Sequence, residues 1–195
     1  MDEEQPDRIL TIPNLISFAR LCCIPWFLWL LFAQDDRHSA AWLLAVLGCT
    51  DWVDGYIARR WHQVSTVGKI LDPTADRLLL GVGVIAILID GSVPAAIGVL
   101  TIVRELTVGA AVVVLAAMGA RRIDVTWAGK AGTFGQMVAY PLFLVSHADV
   151  NWSDIAEVLA WIVIVPALVA SYWAAAQYVP LARRALADGR VGSMR

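Results

Sequence analysis

Four aspartates within residues 51–76 are the side chains of this sequence best able to do chemistry. Asp51 and Asp54 are three residues apart, and Asp72 and Asp76 are four residues apart. On an α-helix, residues at these spacings lie on the same face, so each pair presents two carboxylates in one direction. Closely packed carboxylates repel one another unless cations neutralise them. The spacing therefore predicts a divalent cation site.

The residue types around the aspartates indicate what such a site would bind. Hard oxygen ligands in this number suit Mg²⁺, Mn²⁺ or Ca²⁺ and not zinc. Two such cations, bridged by carboxylates, would clamp a diphosphate and stabilise charge on a leaving oxygen. Gly55 lets the backbone approach a ligand closely, and Arg59 offers a planar fork of donors to a phosphate. Asp76 is our candidate for a general base that accepts a proton from an attacking hydroxyl.

The acidic motif is also compatible with two roles that involve no catalysis. The aspartates can be interface acids in structural ion pairs, since basic residues lie nearby at Arg59, Arg60, Lys69 and Arg77. The chain can also be a non-catalytic cation-binding or transport protein that uses the acids as an ion path. The arrangement Gly55-x-x-Ala58-Arg59 opposes transport, because a cation path gains nothing from an arginine beside its carboxylates.

The composition indicates an integral membrane protein that forms a single domain over residues 1–195. The sequence is 59% hydrophobic and 16% charged, whereas an ordinary soluble domain has about 25% charged residues. Its three cysteines all lie in apolar runs, which indicates packing and not a disulfide framework. The basic residues form no continuous stripe, so we expect no nucleic acid partner.

Six apolar segments must position the aspartates, and each is long enough or nearly long enough to cross a bilayer, which takes about 20 residues. The segments predict an all-α membrane fold with six transmembrane helices at about residues 14–33, 39–57, 68–89, 93–118, 126–146 and 154–179.

The loop charges predict the orientation of these helices. Nearly all loop arginines and lysines fall in 59–66, 119–124 and the tail 182–195, while the alternate loops hold only Arg37. The positive-inside rule then places these loops and both termini, including the short segment 1–13, in the cytoplasm. We therefore expect a protein of the cell membrane with a polar active-site cavity on its cytoplasmic side.

The acidic motif resembles the signature of the CDP-alcohol phosphotransferase family, and the chain resembles that family along its length. The matching positions are Asp51, Asp54, Gly55, Ala58, Arg59, Gly68, Asp72 and Asp76. The resemblance implies that the four aspartates bind two divalent cations, Mg²⁺ or Mn²⁺, and that Asp76 is the general base. It also implies a homodimer.

The same resemblance implies the binding site for the nucleotide of a CDP-linked lipid, CDP-diacylglycerol. Gly55, Arg59, Ser65 and Gly68 would lie against the diphosphate. Pro13 and Asn14 would lie beside the cytidine, although a proline and an asparagine there also fit a plain helix start with an asparagine cap.

Three further segments are similar to bacterial phosphatidylglycerophosphate synthases and to cardiolipin synthases of the same family, namely 11–31, 103–106 and 125–141. We expect the acceptor to be a phosphate-bearing alcohol, sn-glycerol 3-phosphate, and the product to be phosphatidylglycerophosphate. Phosphatidylglycerol as acceptor, which gives cardiolipin, is the first alternative. An inositol phosphate is another.

Four residues are the candidates for holding the acceptor. Arg104 and Glu105 are adjacent on a helix and so point about 100° apart, which predicts that each has its own partner on another helix. We expect Arg104 to face the cavity and hold the acceptor phosphate, with a structural ion pair as the alternative. Lys130 and Thr133 share a helix face. With Arg121 they would form a basic pocket, unless Arg121 is only a positive-inside anchor.

Overall fold

The computed structural model describes residues 12–61, 68–117 and 126–192, and the side chains of 18–50, 78–114 and 126–177. These residues form six α-helices: α1 (Ile12–Phe32), α2 (Arg37–Trp61), α3 (Gly68–Asp90), α4 (Ala95–Ala117), α5 (Trp127–Ser146) and α6 (Ser153–Gly192). The predicted all-α architecture is confirmed.

The predicted helix boundaries differ from the structure mainly where helices continue beyond an apolar run. α2 ends at Trp61 and not near residue 57, and α6 ends at Gly192 and not near residue 179. Both extensions are rich in alanine and arginine, which are strong helix formers. α1 begins at Ile12, so Asn14 lies within its first turn and the expectation that Asn14 caps the helix is wrong.

Two of the helices are long and apolar enough to cross a membrane within the described residues, at Ala95–Val114 and Ser153–Gln177. Shorter apolar stretches lie in α1 and α3, at Phe18–Phe32 and Leu78–Asp90. Large apolar side chains on α4 and α6 are exposed, including Leu106 at 68% and Val169 at 66%. Such a surface is more stable against lipid than against water, which is consistent with a membrane protein.

The tightest packing in the described residues is between α5 and α6, and glycines make it possible. A β-carbon added at Gly132 would overlap Ser171 Oγ and would lie 2.8 Å from the carbonyl oxygen of Ala167. One added at Gly135 would lie 2.6 Å from the β-carbon of Ala167. Small residues at membrane helix interfaces let backbones approach closely, and these glycines serve that purpose.

α2 and α3 are antiparallel, but each packs mainly against other helices: α2 against α1 and α5, and α3 against α1. Arg37 at the start of α2 binds Asp90 at the end of α3. Two turns further along, a β-carbon added at Gly83 would lie 3.7 Å from Leu44 Cδ1. The two α2 positions are seven residues apart, and so are the two α3 positions.

Candidate functional site

The predicted metal ligands lie on α2 and α3. Asp51 and Asp54 fall in the last three turns of α2, and Asp72 and Asp76 in the first three turns of α3. These are the ends that face the connection between the two helices. The side chains of these aspartates are outside the part of the chain that the structure describes.

The predicted nucleotide-binding residues are distributed in the same way. Gly55 and Arg59 lie in α2 with Asp54, Gly68 is the first residue of α3, and Pro13 lies in the first turn of α1. Asn14 follows Pro13, and Ser65 and Arg121 lie outside the described residues. Most of the predicted nucleotide-binding residues therefore lie in helices, and their side chains are outside the part of the chain that the structure describes.

One small apolar cavity of about 20 Å³ lies between α2, α3 and α5. The residues around that cavity are Leu44, Gly48, Leu79, Leu80, Gly83, Val84, Met137 and Tyr140. Gly48 and Leu79 continue the register of Leu44 and Gly83, one turn closer to the acidic motif.

A bidentate ion pair joins the first residue of α2 to the last residue of α3. Arg37 Nε donates to Asp90 Oδ2 at 3.1 Å, and Arg37 Nη2 donates to Asp90 Oδ1 at 3.0 Å. The hydroxyl of Ser92 also donates to Asp90 Oδ2. Hydrogen bonds to Asp90 raise the pKa of the Arg37 guanidinium above its ordinary value. The sequence pattern indicated only a loop charge at Arg37 and did not predict this pair.

A buried polar layer joins α4, α5 and α6. Tyr140 donates its hydroxyl hydrogen to Thr101 Oγ1 at 2.5 Å, and Gln136 Nε2 donates to Ser171 Oγ at 3.0 Å. All four side chains are buried. Polar groups buried at membrane depth must find partners in the protein, and these four residues pair across helices.

Arg104 lies beside this layer, and its partner differs from the prediction. Arg104 is 7% exposed, and its Nη1 donates to Glu105 Oε1 to form an ion pair within α4. The expectation that each residue has its own partner on another helix is wrong. The long arginine side chain can curl back around the helix and bridge the angle between adjacent positions. Among the described residues, Arg104 Nε is buried without a hydrogen-bond partner.

The remaining described acceptor candidates lie near the start of α5. Thr126 caps this helix by accepting a hydrogen bond from the backbone N–H of Gly129. Lys130 is exposed, and the hydroxyl of Thr133 donates to the carbonyl oxygen of Gly129 at 3.1 Å. No ion pair ties Lys130 to another described side chain, so its charge is available at the surface of the protein.

Arg20 of α1 is 2% exposed and is among the largest fully buried side chains. An arginine buried two turns into the first helix must pair with other protein groups or face a polar cavity. Arg20 is engaged within the protein.

Whether the chain can hold divalent cations depends on the four aspartates. Among the residues with described side chains, no three histidines, cysteines, aspartates or glutamates are grouped as metal ligands. The aspartates are outside that part of the chain. Their donor chemistry fits Mg²⁺ or Mn²⁺, which take oxygen ligands from carboxylates. The antiparallel register of α2 and α3 also fits, because the two helices carry the pairs at adjoining ends.

Comparison with known proteins agrees with the acidic motif. Residues 10–176 match the CDP-alcohol phosphatidyltransferase family. The chain is 36% identical over 185 residues to a cardiolipin synthase (CMP-forming) of Streptomyces coelicolor, covering 92% of this chain and 86% of the relative. It is 32% identical over 185 residues to the CDP-diacylglycerol--glycerol-3-phosphate 3-phosphatidyltransferase of Escherichia coli K12, covering 91% of this chain and 97% of that protein.

A third relative is a probable phosphatidylglycerophosphate synthase of Mycobacterium tuberculosis, which is 37% identical over 142 residues, or 70% of this chain and 67% of the relative. The matched region contains all six helices except the end of α6. The chain belongs to the CDP-alcohol phosphatidyltransferase family. It is a transferase of phospholipid biosynthesis.

Proposed function

We propose that the protein transfers a phosphatidyl group from CDP-diacylglycerol to the hydroxyl of sn-glycerol 3-phosphate. The acceptor oxygen forms a bond to the β-phosphorus, the bond from that phosphorus to the CMP oxygen breaks, and CMP leaves. The product is phosphatidylglycerophosphate. Membership of the family supports the chemistry, and the names of the relatives from Escherichia coli and Mycobacterium tuberculosis support this acceptor.

The observation that carries this proposal is the antiparallel alignment of α2 and α3, which two contacts define. The contacts Arg37–Asp90 and Leu44–Gly83 are separated by one heptad on each helix. Both helices continue without a break. If this alignment continues for seven more residues on each helix, towards the acidic motif, position 51 of α2 lies opposite position 76 of α3. We infer that Asp51 and Asp76 face each other there, with Asp54 and Asp72 one turn further on.

In this proposal the four aspartates would hold two divalent cations, Mg²⁺ or Mn²⁺. Bound there, the cations would supply positive charge that offsets the charge developing on the CMP leaving group. Asp51, Asp54 and Asp72 act as ligands. Asp76 is also a ligand, and in addition it accepts the proton of the acceptor hydroxyl as the new bond to phosphorus forms.

The remaining motif residues hold the donor. Arg59 lies a little over one turn beyond Asp54 on α2, and its guanidinium can bind two phosphate oxygens at once. Gly55 and Gly68 leave room for the diphosphate, and Ser65 contacts it. Pro13 and Asn14, in the first turn of α1, lie beside the cytidine.

The acceptor phosphate is proposed to lie among Arg104, Lys130, Thr133 and Arg121. Lys130 supports this because it is a surface cation with no described ion-pair partner. Arg104 supports this acceptor site less directly. Its side chain is buried, and because it already donates to Glu105, only its other N–H groups remain for a ligand.

Cardiolipin synthesis is the second candidate function, and a specific observation favours it. The cardiolipin synthase of Streptomyces coelicolor is 36% identical to this chain, and the match covers 92% of this chain. The donor, the leaving group and the aspartates would be the same. Only the acceptor would change, from sn-glycerol 3-phosphate to phosphatidylglycerol.

We also propose the topology that this function needs. Six membrane spans, with both termini on the cytoplasmic side of the cell membrane, would bring the loops predicted at 59–66 and 119–124 to the face where sn-glycerol 3-phosphate is dissolved. A homodimer is proposed from the family resemblance. Acyl chains of the donor would reach the site sideways from the inner leaflet.

One experiment tests the proposed function. Purified protein is incubated with CDP-diacylglycerol, Mg²⁺ or Mn²⁺, and one acceptor at a time, and the lipid product is identified by mass spectrometry. We expect CMP release and phosphatidylglycerophosphate with sn-glycerol 3-phosphate. Cardiolipin formed from phosphatidylglycerol, with no reaction of sn-glycerol 3-phosphate, would replace the first candidate by the second. No CMP release with any acceptor would overturn both.

A further inference from the structure

Two buried polar atoms in the layer between α4, α5 and α6 have no hydrogen-bond partner among the described residues. One is Gln136 Oε1 of α5, which is an acceptor, and the other is Arg104 Nε of α4, which is a donor. Gln136 is 0% exposed and Arg104 is 7% exposed. A buried polar atom without a partner costs free energy, so a ligand or an ordered water usually explains one that persists.

A second contact holds each of these side chains in place. Gln136 Nε2 donates to Ser171 Oγ of α6 at 3.0 Å. Because the amide oxygen and nitrogen diverge from the same carbon, Oε1 is directed away from Ser171. Arg104 Nη1 donates to Glu105 of its own helix, which leaves Nε unused. The two unpaired atoms therefore belong to side chains whose positions are already fixed.

The length of the chain between α4 and α5 shows that these helices run in opposite directions past the Tyr140–Thr101 hydrogen bond. α4 continues for 16 residues after Thr101, or about 24 Å, and α5 begins 13 residues before Tyr140, or about 20 Å. Parallel helices would place the end of α4 about 44 Å from the start of α5. The ten peptide steps from Ala117 to Trp127 span at most about 36 Å, so the helices are antiparallel.

In this antiparallel arrangement, Gln136 and Arg104 lie on the same side of the Tyr140–Thr101 hydrogen bond. Gln136 is four residues before Tyr140 on α5, and Arg104 is three residues after Thr101 on α4. Each therefore shares a helix face with its hydrogen-bonded neighbour and lies one turn from it. Both steps lead towards the end of α4 and the start of α5. The unpaired acceptor and the unpaired donor are thus at the same level on adjacent helices.

A single hydroxyl group complements both atoms. A hydroxyl donates one hydrogen bond and accepts others, so it can donate to Gln136 Oε1 and accept from Arg104 Nε. A fully ionised phosphate has no hydrogen to give to the amide oxygen, and an ammonium group has no lone pair to give to the arginine. The chemistry of the two atoms therefore indicates a neutral alcohol.

The unpaired atoms lie next to the residues that are proposed to hold the acceptor. Lys130, Thr133 and Gln136 follow one another along α5 at intervals of three residues, so they occupy successive turns of the helix. Lys130 is exposed, Thr133 is half-buried and Gln136 is buried. An acceptor whose phosphate meets Lys130 at the surface can therefore extend a hydroxyl towards Gln136.

The same layer is close to the proposed general base. Leu80 of α3 and Met137 of α5 line one cavity. Asp76 is one turn before Leu80 on α3, and Gln136 directly precedes Met137 on α5. Gln136 and Asp76 are therefore about two turns apart or less along the helix axes, or about 11 Å. A three-carbon polyol and its contacts can bridge that separation.

We propose that Gln136 Oε1 and Arg104 Nε bind the non-reacting secondary hydroxyl of the acceptor and so make the enzyme selective for a glycerol moiety. The inference rests on the proposed function, in which another hydroxyl of the acceptor attacks the donor. It applies to sn-glycerol 3-phosphate and to phosphatidylglycerol alike, because each carries a free secondary hydroxyl beside the reacting one. The other N–H groups of Arg104 stay available to a phosphate.

Acceptors that differ only in this hydroxyl test the proposal on the wild-type protein. sn-Glycerol 3-phosphate is compared with 3-hydroxypropyl phosphate, which keeps the primary hydroxyl and the phosphate but has no secondary hydroxyl. We expect kcat/KM for CMP release to be at least about tenfold higher with sn-glycerol 3-phosphate, because the analogue leaves both buried atoms unpaired. Equal values would mean that only a buried water occupies the layer and would overturn the proposal.

Variants of the wild type then assign the selectivity to Gln136. Gln136→Met removes the amide oxygen and keeps the length of the side chain. It should lower kcat/KM for sn-glycerol 3-phosphate by about tenfold and that for 3-hydroxypropyl phosphate by much less. Ser171→Ala is the matched control, since it also breaks the Gln136–Ser171 hydrogen bond but keeps the amide oxygen, and it should keep the selectivity. Equal losses with both acceptors in Gln136→Met, or the same loss of selectivity in Ser171→Ala, would show a structural role and overturn the proposal.

Binding measured without the donor separates this proposal from the proposed function. Calorimetric titration of the purified protein with each acceptor, in the absence of CDP-diacylglycerol, reports the selectivity without any reaction. The wild type should bind sn-glycerol 3-phosphate about tenfold more tightly than 3-hydroxypropyl phosphate, and Gln136→Met should bind the two alike. Selective binding without CMP release would support the hydroxyl site and contradict the proposed function. CMP release without selectivity would overturn the hydroxyl site alone.

Discussion

Tyr140 of α5 donates its hydroxyl hydrogen to the hydroxyl oxygen of Thr101 of α4 across 2.5 Å, and both side chains are buried. Gln136, one turn earlier on α5, makes the equivalent contact to Ser171 of α6. α5 is therefore tied by buried hydrogen bonds to α4 and to α6. The helix that carries Lys130 and Thr133 is thereby held in place by its own polar layer.

The first prediction concerns the Tyr140–Thr101 hydrogen bond. Tyr140→Phe and Thr101→Val should each lower thermal stability in detergent, and the double variant should lose less than the sum of the two. The coupling should be about 0.6 kcal/mol, the average for hydrogen bonds between membrane helices. Unfolding curves of the four proteins give this value. Strict additivity would mean that the contact contributes no net stability.

The second prediction concerns the close approach of α5 and α6. Gly132→Ala should destabilise the protein by about 1–3 kcal/mol, because the new methyl group overlaps Ser171 and the backbone of Ala167. Gly109→Ala in α4 is the matched control, since a β-carbon there meets nothing within 4 Å. It should be neutral or stabilising because alanine is the better helix former. Thermal unfolding in one detergent compares the two variants.

The helices of this fold could be predicted from the sequence because long apolar runs alternate with short polar breaks. The extension of α6 to Gly192 could not be predicted, since its last turns carry no apolar pattern and depend on helix propensity alone. The pair Arg37–Asp90 could not be predicted either. The two residues are 53 positions apart in the sequence and lie at the ends of different helices, so no local sequence pattern connects them.

The candidate site could also be predicted only in part. The acidic motif could be recognised because aspartates at fixed spacings on two helices form a pattern in the sequence. The partner of Arg104 could not be predicted, because helix geometry gives the direction in which a side chain leaves the backbone but not how far a long side chain bends. Arg104 binds the adjacent Glu105 as a result.

The third prediction concerns Asp36, which caps α2 by accepting a hydrogen bond from the backbone N–H of Ser39 at 2.9 Å. Hydrogen bonds from the side chain and the backbone of Ser39 hold the pKa of Asp36 below its ordinary value. A lowered pKa means that the stabilisation is fully present above the unfolded-state pKa of about 3.9 and is lost as the pH falls below it.

Asp36→Asn isolates this contribution, because asparagine caps a helix without titrating. The melting temperatures of wild type and variant should differ by a constant amount between pH 5 and pH 7. Below about pH 4 the melting temperature of the wild type should fall relative to that of the variant. A difference that stays constant down to pH 3 would show that the Asp36 cap does not titrate with folding.

The fourth prediction concerns the proposed general base. Asp76→Asn should lower kcat for CMP release by about 10²–10⁴-fold, the usual contribution of a positioned acid–base group, plus the loss of one cation ligand. Glu157→Gln, which changes an exposed acid on α6, should leave kcat unchanged. Raising the Mn²⁺ concentration should recover little of the loss in Asp76→Asn, because the proton acceptor is still missing. Near-normal activity in Asp76→Asn would remove it from the mechanism.

The last prediction separates the residues proposed to hold the acceptor phosphate. Lys130→Ala should raise the KM for sn-glycerol 3-phosphate far more than the KM for CDP-diacylglycerol, since its exposed ammonium has no described ion-pair partner and is available to a ligand. Losing one charge-assisted contact to a phosphate costs about 1.5–3 kcal/mol, or roughly ten- to a hundredfold in KM. Arg104→Ala should raise the same KM and also lower stability, because it leaves Glu105 without its partner.

Glu105→Gln distinguishes the two roles of Arg104. It removes the ion pair but leaves the guanidinium in place. If Arg104 binds the acceptor, Glu105→Gln should leave the KM for sn-glycerol 3-phosphate unchanged or lower it, because the arginine gains donor capacity. If Arg104 serves only the ion pair, Arg104→Ala and Glu105→Gln should lower stability alike and leave both KM values unchanged. Equal increases in both KM values in Lys130→Ala would count against an acceptor site at the start of α5.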